Sequence, residues 1–178
     1  MHVTFKRTGE RRYAVIVSHA GRIAQAIHPA PGYDDDIPHD LVHYVVEAAL
    51  GLTSGVFGRA ALGGGTFLGE GAGSARERAR ERRKQVRKEA GLSARDRAGA
   101  NELESSERLA ALCDVSWRRR HGQRPDPLRK APDLEHAEDA ARIERVVSKL
   151  DVLAPLWRAL PVEGELVFEW PSVLPCRS

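Results

Sequence analysis

The stretch Glu165-Leu166-Val167-Phe168-Glu169-Trp170 alternates cleanly, with Leu166, Phe168 and Trp170 on one side and Glu165 and Glu169 on the other. Successive side chains of a strand point to opposite faces, so this pattern marks a half-buried strand. Such a strand needs a neighbour. The other strand-like runs lie at the opposite end of the chain, at residues 2–7, 12–19 and 22–28. Val3 and Phe5 alternate with polar residues in the first run. In the second, Tyr13, Val15 and Val17 share one face while Ala14 and Ile16 share the other, as in a central strand. Thr8-Gly9-Glu10 and Ala20-Gly21 supply turns, so the three runs read as an antiparallel meander. The last strand is most simply added to an edge of it. The expected fold is α+β: a small antiparallel sheet of about four strands, meander plus C-terminal strand, with helices packed on one face.

Between the two ends the pattern is helical. After a Pro/Gly/Asp loop at 29–36, a helix is expected from near Asp36, whose carboxylate can cap it, with Pro38 tolerated in the first turn. Leu41, Val42, Val45, Val46 and Ala49 form its apolar face, and Gly51 ends it. Residues 51–73 hold nine glycines, which reads as a flexible or tightly turned linker with one short helical piece around Gly55 to Ala61. Ser74-Ala75-Arg76-Glu77 is a capping-box signature for a helix to about Ala90, stopped by Gly91. Further helices are expected over about 102–117 and 134–150, the latter followed by a short helical turn ending near Leu160. The 178 residues suit one core, so the chain reads as a single domain over 1–178, with the glycine linker (51–73) and a basic helical excursion (74–97) inside it.

The charge is unevenly placed. The formal net charge is +3, yet residues 76–97 carry ten Lys/Arg against four acids, and residues 131–178 carry nine acids against five bases. Arg76, Arg80, Arg83 and Arg87 form one continuous stripe on a helix, a surface suited to a phosphate backbone or another acidic polymer. Val86 is the one sizeable apolar residue between Ala75 and Ala90, so the segment has little with which to dock on a core. The alternative is a solvated face. The glycine run is no phosphate loop, because no Gly-Lys-Ser/Thr follows it.

No apolar run is long enough to span a membrane, and the first residues alternate instead of forming an apolar signal core, so a cytoplasmic protein is expected. Cys113 and Cys176 have no metal or redox spacing and read as reduced thiols.

His39 and His43 stand four apart on the expected helix, with Asp40 directly after the first. That is the spacing by which one helix face holds a zinc ion, with aspartate in place of the glutamate of H-E-x-x-H. Zinc needs a third protein ligand. Glu47 continues the row but lies ~12 Å along the axis from His39, too far to share an ion with it. His28 or one of Asp34, Asp35 and Asp36 is the better candidate. Aspartate is a methylene too short to act directly on a metal-bound water, which makes Asp40 a weak candidate for catalysis. The plainer alternative is a polar helix edge, the imidazoles bonded to Asp36 or Asp40.

The strings IPHDLVHYVVEAALGL and GVFG, with the strand LPVEGELVFEWP near the end, resemble a group of small uncharacterised bacterial proteins. The resemblance covers the N-terminal third and about the last fifteen residues, and implies a shared domain without a function. The sequence therefore favours a non-catalytic binding or adaptor domain, acting on a protein partner or an acidic polymer, with no cofactor expected. The two alternatives are a metal-dependent, hydrolase-like enzyme using His39 and His43 with zinc or another divalent metal, and a nucleic-acid binder working through residues 76–97.

Overall fold

The computed structural model describes residues 1–19, 36–62, 102–123 and 137–176, the backbone alone of 22–27 and 137–139, and single positions at 83, 86, 87, 90, 91 and 94. Four strands and four helices are described: β1 (His2–Gly9), β2 (Arg12–His19), β3 (Arg22–Ile27), α1 (His39–Leu50), α2 (Val56–Ala61), α3 (Glu102–Arg120), α4 (Ala137–Ala159) and β4 (Glu165–Glu169).

The strands form one antiparallel sheet in the order β3-β2-β1-β4, so the two ends of the chain do meet. β1 pairs with β4 from His2↔Glu169 to Lys6↔Glu165, which brings Val3 opposite Phe168 and Phe5 opposite Leu166. This register puts Val3, Phe5, Leu166 and Phe168 on one buried face, continued in β2 by Tyr13, Val15 and Val17. A slip by one residue would turn the whole set to the other side. β4 ends at Glu169, one residue short of the expected strand. Trp170 still joins the core, its ring 5.6 Å from Tyr44 and stacked 6.5 Å from Phe57. The tail then turns back along β4, where Cys176 N donates to Val167 O (2.6 Å) and Phe168 bridges Pro175. This backbone cover blunts an otherwise open sheet edge.

The helices pack on the buried face. Tyr13 meets Trp157 of α4 edge-on at 6.1 Å, and Phe5 meets Tyr44 of α1 in the same way at 5.8 Å. α1 is more deeply set than its apolar stripe suggests: every residue from Leu41 to Glu47 is buried. The stripe meets the sheet and α4, while its opposite side, with His43 and Glu47, is covered by α3 and α2. One cluster of buried side chains runs through β1, β2, β4 and all four helices.

Three local expectations need correction. α1 begins at His39, with Pro38 as the cap residue in extended conformation and no side-chain cap bond. Asp36 does not cap it; its carboxylate lies 3.6 Å from the Arg158 guanidinium. Gly55 to Ala61 is helical as expected, and residues 51–62 take the tightly turned form of the connector, with Phe57, Gly58, Arg59 and Ala60 buried. α3 continues one turn further than expected, to Arg120. α4 is a single helix through Pro155, anchored on either side of the proline by buried Leu150, Leu153, Ala154 and Trp157. Among the described residues no helix is long and apolar enough to cross a membrane.

Cys113 is buried in α3, where burial pushes its thiol up to about 12, so it packs as a small hydrophobe; Cys176 is exposed.

Candidate functional site: the α1–α3 seam

Polar residues on α1 that face away from the sheet meet the N-terminal half of α3. Glu47 is completely buried, yet it is fully bonded. Its Oε1 accepts from Val56 N (2.8 Å) and Ser106 Oγ (3.0 Å), and its Oε2 from Phe57 N (2.8 Å) and Gly58 N (3.1 Å). These amides open α2, whose first turn has no partners of its own for them, and the positive end of a helix favours an anion. The carboxyl is pushed up by burial, against which the bonds from Gly58, Ser106, Phe57 and Val56 pull downward. The approach is close enough that a Cβ on Gly55 would stand 2.2 Å from Glu47 Cδ, and one on Gly58 2.5 Å from Thr53 O. Glu102 of α3 holds the preceding turn in the same way, accepting from Thr53 N (2.8 Å) and Ser54 N (2.7 Å). Glu47 thus serves the fold. It does not extend the histidine row.

The histidines lie one turn nearer the helix start. His39 Nε2 and His43 Nε2 are 3.1 Å apart. The ring centroids are 4.5 Å apart at an interplanar angle of 84°. Because the nitrogens are closer than the centroids, the rings lean together on their Nε2 edges. His43 is 4% exposed while His39 is only half-buried. Opposite them on α3, Glu107 Oε2 lies 3.5 Å from His43 Nε2, on a side chain that is 60% exposed. Asp40 turns to the sheet, where its Oδ2 accepts from Tyr13 Oη at 2.8 Å.

The spacing of four does bring the two imidazoles side by side, and Glu107 of α3 lies next to His43. Sequence reasoning passed over Glu107 because a contact between two helices some sixty residues apart leaves no local pattern. It also missed the Tyr13–Asp40 bond, since Tyr13 reads simply as a core residue of β2. His28, Asp34 and Asp35, offered as third ligands, lie outside the described residues, and Asp36 is directed to Arg158. Among the described residues no three of His, Cys, Asp and Glu form a group that could hold a metal ion.

Of the basic stripe, Arg76 and Arg80 lie outside the described residues. Arg83 and Arg87 occupy exposed helical positions, and Val86 between them is 69% exposed. The one side chain in the segment able to dock on a core faces solvent.

Comparison with protein-family models, curated proteins and solved structures gave no match.

Proposed function

We propose that the protein is a non-catalytic binding domain whose contact site is the α1–α3 seam at His39, His43 and Glu107. The observation that carries this reading is the use made of the nearby carboxylates. A hydrolase of the H-E-x-x-H kind keeps a carboxylate beside the imidazole pair to take a proton from water. Here Asp40 accepts the Tyr13 hydroxyl and Glu47 is consumed by four donors of its own. Half-buried His39 and exposed Glu107 reach the surface at the seam, groups suited to binding.

Two measurements test it. Protein supplemented with zinc or manganese is assayed on ester, phosphoester and peptide substrates, with the Asp40→Asn variant beside it. No turnover above that of the free metal is expected, and turnover lost in Asp40→Asn would establish the enzyme instead. A photo-crosslinking residue at Glu104, one turn from Glu107 on α3 and exposed, should give a discrete adduct in cells. The same residue at exposed Glu10, in the turn between β1 and β2, should not. Equal adducts at both positions, or none at either, would remove the seam as the binding site.

A further inference from the structure

We propose that two copies of this chain associate through the outer face of α4, the two helices packing antiparallel about a two-fold axis. The inner face of α4 is taken up by the core, with Val146, Leu150, Leu153 and Trp157 all buried. On the opposite face Val152 and Leu156 stand one turn apart at 54% and 43% exposure, with Pro155 and Ala159 exposed beside them. Residues three and four apart share one side of a helix, so these four make a continuous apolar ridge over its last turns. A single exposed aliphatic residue is ordinary, but a ridge of them marks a contact surface.

The charges at its two ends say what covers it. Arg145 and Lys149 continue the ridge toward the helix start. They form a like-charge pair four residues apart, unfavourable on an isolated helix, and neither meets a carboxylate among the described residues. The acids of α4 on the side toward α3 are engaged: Glu144 with Arg120, and Asp151 with Arg120 and His121. At its other end the ridge meets the carbonyl end of the helix, the negative pole of its dipole. Just beyond lies Glu163, whose side chain is 66% exposed. A strip that is positive at one end, negative at the other and apolar between is complementary to itself once a second copy is turned end for end. Val152 then meets Leu156 of the other copy, and Lys149 and Arg145 meet its helix end and its Glu163. Such a pair uses the same patch twice and closes on itself. An anionic lipid surface would match the basic end alone and repel Glu163.

The test is the mass of the full chain by sedimentation equilibrium at loadings across the micromolar range, with flotation on phosphatidylserine vesicles alongside. Wild type should rise from one chain to two as loading increases, since a contact of a few helical turns is at the small end of specific interfaces. Leu156→Glu, outside the core, should keep its thermal melt and stay a single chain at every loading. Arg145→Glu should weaken association at least about tenfold, because like charges juxtaposed at an interface are costly. Adding Glu163→Arg to it should restore the pairing. A wild type that remains a single chain throughout overturns the proposal, and if it floats with the vesicles the face is a lipid surface instead. A dimer unchanged in Leu156→Glu, or no recovery in the charge-swapped protein, overturns it as well. No residue of the α1–α3 seam takes part, so the two readings stand or fall separately.

Discussion

Asp151 of α4 shows how a single side chain ties two helices together at the surface. Its Oδ1 accepts from His121 Nε2 at 2.8 Å and its Oδ2 from Arg120 at 3.1 Å, where α3 ends. Arg120 also bonds Glu144, about two turns earlier on α4. Burial pushes the Asp151 carboxyl up, but the bonds from His121 and Arg120 outweigh it and hold the group below its usual 3.8. A carboxyl depressed in the folded state contributes stability that is present above its unfolded value and lost as pH falls through the folded one. Unfolding midpoints in urea should therefore fall as the pH drops below about 4, by more in wild type than in Asp151→Asn. Equal slopes in the two proteins would dismiss the network as a source of stability. At this scale the sequence was a partial guide. It exposed the His39/His43 spacing because both residues sit on one helix, and it hid Glu107, Tyr13 and the Arg120–Asp151 pair, because each of those contacts joins separate elements.

The six-residue helix α2 depends at the element scale on groups that are not its own. Too short to form in isolation, it is held by Glu47 across its first amides and by Glu102 on the turn before it. Gly55 allows the carboxylate to approach. Gly55→Ala would set a Cβ 2.2 Å from Glu47 Cδ and displace it. Glu47→Gln would turn an amide donor toward backbone donors. Each change should cost about 2–4 kcal/mol, from bonds to a charged acceptor lost in a buried site. The double variant should cost clearly less than the two together, because both act on the same bonds. Thermal or urea melts of the four proteins decide this, and strict additivity would separate the glycine from the carboxylate. The sequence left the glycines of 51–62 as either flexible or tightly turned, because composition cannot distinguish a loose glycine from one pressed against a neighbour. For α4 the sequence suggested a helix to about Leu150 and then a separate short turn, but the helix runs on through Pro155, with buried side chains on both sides of it.

For the whole molecule, the sheet was legible because strand periodicity is a two-residue signal that survives at each end of the chain. One alternating C-terminal strand and one meander to receive it pointed to an added edge strand; that the edge is β1 and not β3 came from the structure. The central position of α1 was not legible: an amphipathic stripe identifies the face toward the sheet and says nothing of helices packed behind it. Since Leu166 and Phe168 fill the core opposite Phe5 and Val3, a chain truncated after Glu163 should lose its cooperative melt. It would also lose the bond from Tyr44 Oη to Ser172 O (2.7 Å), which fastens α1 to the tail. A truncated protein melting cooperatively near the full-length temperature would show that β4 is dispensable.

The pairing of Lys6 with Glu165 also sets an order of events during synthesis. β1 leaves the ribosome well before β4, the strand that covers its outer edge. Throughout that interval β1 presents unpaired backbone groups along the edge that β4 will cover, the arrangement by which nascent chains pair with one another. Closing so long a loop is also slow compared with forming the local helices. A bound chaperone or a low local concentration of nascent chains would shield that edge until β4 arrives. The meeting of β1 and β4 that completes the sheet therefore also closes an edge that is open to aggregation until then.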